Sequence, residues 1–166
     1  MKQLLTDIQS RLAAATLLDK PLFAYVDLDW GQADFYEGMP PVKFPCALID
    51  VQSAEYSNQG QLIQMGDVIV QIRIIDMILS HTSAGAPAEQ REKAGRIFDT
   101  LHETHRLLHG WTGTPERYGR LTRKTLAHVR RRDGLHEYAL TFEVILTDDS
   151  ARPQYATANA TPEIII

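Results

Sequence analysis

Between Gly66 and Leu79 the chain reads GDVIVQIRIIDMIL, its densest run of β-branched residues, and such a segment is at home in the middle of a sheet. In extended backbone Val68, Val70, Ile72 and Ile74 share one face, while Ile69, Gln71, Arg73 and Ile75 share the other. One face is wholly apolar and its reverse is mixed, which predicts a central strand with one well-covered side. The run is too short to cross a bilayer as a helix, and Asp67, Arg73 and Asp76 interrupt it, so a membrane segment is excluded. A connection rich in Ser, Thr, Gly and Pro, residues 80–87, leads from this strand into a long amphipathic helix.

Around it the other elements fall into order. Leu4, Leu5, Ile8, Leu12 and Ala15 recur at helical spacing and predict a first helix over residues 2–17, ending before Pro21. Residues 22–30 predict a first strand whose even positions, Leu22, Ala24, Val26 and Leu28, form the apolar set. Two glycines, two consecutive prolines and two aromatics make residues 31–43 a long loop or protruding arm. A strand at Phe44–Val51 should pair with the central one as an antiparallel hairpin, its long tip marked by Asn58 and Gly60. The second helix should start near Ala86 or Pro87 and place Ala94, Ile97, Phe98, Leu101, His105 and Leu108 on one face before Gly110 ends it.

Asp133-Gly134 lies between two alternating runs and predicts a two-residue hairpin turn. In that register Val129 faces Tyr138, Ala127 faces Leu140, Thr125 faces Phe142 and Leu121 faces Leu146. On the opposite side Arg130 meets Glu137 and Lys124 meets Glu143. From Asp148 the alternation stops. The expected fold class is α+β: a mostly antiparallel sheet of four to five strands with two helices packed on one face, an extended arm and a C-terminal tail. The expected division is one domain over residues 1–148 and an extended tail over 149–166.

Composition narrows the function classes. A formal net charge of −4 argues against a dedicated nucleic-acid binder, and 44% hydrophobic with 23% charged residues is ordinary for a globular protein. Cys46, the single cysteine, sits in the apolar run FPCALI and reads as a small buried hydrophobe. The N-terminal residues lack the pattern of a secretory signal, so a cytoplasmic product is expected.

Three groups of residues invite chemical readings. His102, His105 and His109 share a helix face at metal-ligand spacing, but the segment reads HETH and no fourth ligand is marked nearby; metal binding or a small enzyme at this face is the competing reading. Asp27, Asp29, Asp34 and Glu37 gather carboxylates beside Trp30, Phe35 and Tyr36 without the order of a calcium loop, and read as an acidic arm with aromatic anchors for a protein partner. The basic stretch Arg117, Arg120, Arg123, Lys124 and Arg130–Arg132 has no interleaved stacking aromatics, so sequence-specific nucleic-acid reading is not expected. A small regulatory or ligand-binding domain is a third class. No catalytic residue, cofactor site or metal site is assigned.

The succession FPCALIDV, GDVIVQIRIIDM, RIFDTLHETHRLLHG and YALTFEVILTDD, set between an N-terminal helix and a trailing tail, resembles the tail-terminator or tail-completion proteins of long-tailed bacteriophages and prophages, including the tube-capping proteins of related contractile systems. The resemblance covers roughly residues 1–148. It implies a virion structural protein without catalysis, a homo-hexameric ring that caps the tail tube and joins it to head and neck connector proteins. DNA would pass through that ring. It also implies a place at the tail–neck junction of the virion, reached from the host cytoplasm during assembly.

The tail adds a separate expectation. Ile164, Ile165 and Ile166 are costly to leave in water, since full burial of each is worth ~1.5–3 kcal/mol. Residues 149–166, extended, reach roughly 50–60 Å at about 3.3 Å per residue. The tail, with Tyr155, is expected to lie along an adjacent subunit or to add a strand to its sheet edge, while Trp30, Phe35 and Tyr36 contribute to the ring or tube contact.

Overall fold

The computed structural model describes residues 1–34 and 42–152. Its elements, in chain order, are helix α1 (Lys2–Ala13), the short strands β1 (Thr16–Leu17) and β2 (Lys20–Pro21), β3 (Tyr25–Leu28), β4 (Cys46–Gly60), β5 (Ile63–Met77), helix α2 (Ala88–Leu108), β6 (Thr122–Val129) and β7 (Leu135–Asp148). The fold is α+β. Strands β3 to β7 form one sheet in the order β3-β4-β5-β7-β6, antiparallel throughout except for the parallel β3–β4 pair. The β-branched run is the middle strand, and Val68, Val70, Ile72 and Ile74 are all buried.

The two helices cover the face that these four residues share. Leu4, Ile8 and Leu12 of α1 and Leu101 and Leu108 of α2 join Ala47, Ile49, Leu140, Phe142 and Val144 in one core. Two polar ties fix α1 in place. The Asp7 carboxylate accepts hydrogen bonds from Tyr118 Oη (2.7 Å) and Thr114 Oγ1 (2.8 Å). Arg11 Nε donates to the Leu107 carbonyl at 2.7 Å, and its guanidinium lies over the Trp111 ring. A smaller cluster, Cys46, Leu48, Ile75 and Leu135 with Ala33 and Val42, occupies the reverse face of the sheet.

Several expectations are corrected. Helix α1 stops at Ala13, and the next residues form a small antiparallel hairpin, β1–β2, whose turn residues Leu18 and Asp19 have φ of 49° and 60°. The even set of residues 22–30 is not the buried one. Leu22 and Phe23 are both buried, whereas Ala24 and Leu28 are exposed, because β3 begins only at Tyr25 and its approach is not extended. The polar stretch after Val51 is strand rather than loop: β4 runs on to Gly60, and the tip is the tight pair Gln61-Leu62, both left-handed with φ of 51° and 60°. Two successive positive φ values match the strand twist that a two-residue hairpin needs. Phe98 lies on the exposed side of α2, where Thr100 and Thr104 are buried instead.

The β6–β7 register is also corrected. Asp133-Gly134 is not a two-residue turn; residues 130–134 form a longer loop, so Val129 faces Glu137, His128 faces Tyr138, Ala127 faces Ala139 and Leu126 faces Leu140. From Val129 to Thr125 every pair is displaced by one from the expected register. Beyond a bulge at Lys124, Arg123 faces Phe142, while Leu121 bonds to Trp111 and it is Tyr118 that bridges to Leu146. Tyr138, Leu140 and Phe142 still share one face, with Glu137 and Glu143 on the other.

Candidate assembly surfaces

Arg73 is the single charge in the β-branched run, and the structure shows why a guanidinium is tolerated there. On the reverse face of the sheet its Nε donates to Glu137 Oε1 (2.6 Å) and its two terminal nitrogens to Asp29 (2.7 Å) and Asp34 (3.0 Å). Arg131 closes the group with bonds to Glu137 (2.7 Å), Asp34 (2.8 Å), Asp133 (2.6 Å) and the Ala33 carbonyl. Glu137 is 1% exposed and sits between both guanidiniums. Burial works against the Arg73 cation, but its bonds to Glu137, Asp34 and Asp29 outweigh that and raise its pKa. Hydrogen bonds from Arg73, joined by those from Arg131, hold the Asp34 carboxyl below its ordinary range against partial burial. These bonds clamp the root of the arm, residues 29–34, onto β5 and β7. The expected Arg130–Glu137 pair is thus replaced by Arg131–Glu137, whereas Lys124–Glu143 forms through the bulge.

The residues expected to meet partners are distributed as follows. Trp30 projects from the arm root at 60% exposure. Phe35, Tyr36, Tyr155, Ile164, Ile165 and Ile166 lie outside the described residues. Of the helix histidines, His102 and His109 are exposed and His105 is half-buried. The rings of His105 and His109 are 4.9 Å apart, and His109 Nδ1 accepts from the Arg123 amide at 3.1 Å. His105 Nδ1 is buried without a hydrogen-bond partner. Burial, reinforced by Arg123 and the two other histidines, lowers its pKa. Among the described residues no three histidine, cysteine or carboxylate groups stand where they could share a metal ion, and no helix is long and apolar enough to cross a membrane. Burial pushes the Cys46 thiol up to about 12, which makes it a poor nucleophile.

Two surfaces escaped the sequence reading. All eight residues of β6 are exposed, Leu126 and Val129 included, as fits a sheet edge that the helices do not reach. The β1–β2 and β4–β5 tips each present an exposed leucine, Leu18 and Leu62, in left-handed backbone. Alternation along residues 122–129 carries no mark of edge position, since strand order is a property of the assembled sheet. The leucines at the tips could be found only by placing the turns first.

No family model matches the chain, and no curated protein matches it. A solved structure described as the virion of a native gene transfer agent particle contains a chain of similar fold. The match has a TM-score of 0.52 and 14% identity, over 87% of this chain and 95% of that one. At that identity the likeness is one of fold.

Proposed function

We propose that this chain is a structural virion protein that assembles into a ring, homo-hexameric in the reading taken from the family resemblance, capping a tail tube and joining it to head or neck connector proteins. The observation that carries the reading is the fold shared with a chain of the gene transfer agent virion over nearly the whole of both chains. The proposal gives the protein no catalytic role, and its chemistry is that of surfaces. DNA passes through the ring, the ring sits at the tail–neck junction, and the protein waits in the host cytoplasm before assembly. The Trp30–Phe35–Tyr36 arm contributes to the ring or tube contact, and the tail, through Tyr155 and Ile164–Ile166, lies along an adjacent subunit.

Size-exclusion chromatography with light scattering, followed by electron microscopy of the protein mixed with purified tail tubes, tests the reading. Rings at tube ends are the expected result. A chain that remains monomeric at every concentration and leaves tube ends bare would refute it.

A further inference from the structure

The two edges of the sheet differ in charge. From Arg117 to Arg132 the chain carries arginines and a lysine and no carboxylate, and this segment includes the outermost strand β6. Strands β3 and β4 at the other edge carry Asp27, Asp50 and Glu55 and no lysine or arginine. Among the described residues no strand pairs with the outer edge of β6, whose first residues are covered by the bond from the Arg123 amide to His109, and none pairs with the other outer edge apart from the cover that β3 gives the first residues of β4.

Apolar groups complete the match. Leu28, Ile49, Ile72, Leu140 and Leu126 form one row across all five strands, because each is the register partner of the next. The three inner members are buried, but the two ends of the row, Leu28 at 40% and Leu126 at 49%, are exposed. A rotation about an axis parallel to the strands keeps each strand's direction. It would bring β6 of one copy beside β3 and β4 of the next, antiparallel to them and with Leu126 level with Leu28. Such a heterologous contact closes into a ring when the rotation divides a full turn.

Resting on the ring reading above, we infer that the subunit contact is sheet extension: β6 of one copy pairs antiparallel with the β3–β4 edge of a second copy, Leu126 against Leu28, basic edge against acidic edge. Backbone hydrogen bonds fill the open edges, and the opposite charges select this pairing over like-edge pairing.

The test is a charge swap in the full chain. Leu126→Glu places a carboxylate against the acidic edge, and Leu28→Lys places a cation against the basic one. Each change is at an exposed position, and circular dichroism and thermal melts check that the subunit stays folded. Each alone should raise the concentration for half-assembly roughly tenfold or more, and the chain carrying both should recover most of that loss, because the pair becomes an ion pair. Independently, the Leu28→Cys/Leu126→Cys chain treated with a short bismaleimide should give a ladder ending at the ring size, whereas each single-cysteine chain should not; buried Cys46 does not interfere. Rings that form equally well from both single variants, without a ladder, overturn the inference and leave the ring reading standing. A single-cysteine chain that links to itself overturns it in favour of like-edge pairing. A wild-type chain that stays monomeric with and without tubes overturns both.

Discussion

Glu137 illustrates how one buried side chain holds a distant loop. Its two oxygens are shared by Arg73 and Arg131, which also grip Asp29 and Asp34, so one carboxylate joins two strands to the arm root. Glu137→Gln removes the charge without changing the shape and leaves two largely buried guanidiniums short of an anion. Breaking a buried pair costs roughly 3–5 kcal/mol, and the remaining aspartates place this change at the lower end of that range. Lys124→Ala, which removes an exposed partner of Glu143, should cost only ~0–1 kcal/mol. Urea denaturation of the two variants distinguishes them, and equal losses would refute the buried-network account. A second prediction concerns His105, whose lowered pKa means that the folded state resists protonation at this site. Its stabilising contribution is therefore complete above the ordinary histidine value and is lost as pH falls toward the depressed native one. Between about pH 7.5 and about pH 5.5, His105→Gln should lose less stability than wild type in urea midpoints. This cluster was only half legible from the sequence. A lone arginine in a β-branched run announces that it needs a partner, but Glu137 lies 64 positions away and only the folded sheet brings it near.

Elements were legible where pattern and burial agree. Alternation in β5 and helical spacing in α1 and α2 identify the buried faces, the exposed Phe98 excepted, because one side of each element meets the core along most of its length. The Asp133-Gly134 turn was misjudged for a tertiary reason. Arg131 is drawn into the Glu137 network and Asp133 turns back to bond it, so the loop lengthens and the register moves by one residue. Local turn preference is weaker than a cluster of buried ion pairs. The β4–β5 tip is the opposite case, a tight turn made from residues with no turn preference. Leu62 occupies left-handed backbone at 60% exposure, where an L side chain costs roughly 1–2 kcal/mol that glycine avoids. Leu62→Gly should therefore stabilise the isolated subunit by about 1 kcal/mol at most, after its own chain-entropy cost, seen as a higher thermal midpoint. A lower midpoint would mean that the Leu62 side chain makes contacts worth more than the strain.

At the scale of the molecule, the described core draws on residues from Leu4 to Leu146 and none beyond. Residues 153–166 lie outside the described ones, and we propose, from the sequence of the tail alone, that the segment from Asp149 onward adds little to subunit stability and that its apolar end acts between subunits. Three isoleucines in a docking groove would each contribute ~1.5–3 kcal/mol if fully buried, enough to shift an assembly equilibrium by orders of magnitude. Deleting residues 150–166 should leave the thermal midpoint and the circular dichroism spectrum close to those of the full chain, while the concentration for half-assembly rises. Sheet extension through Leu28 and Leu126 would remain available to the truncated chain, so its rings should weaken rather than vanish. The truncation and the Leu126→Glu change should then be additive, since they remove separate contacts. Assembly of the truncated chain at wild-type concentrations would remove the tail from the ring. A truncated chain that no longer folds would show instead that the tail belongs to the subunit's own core.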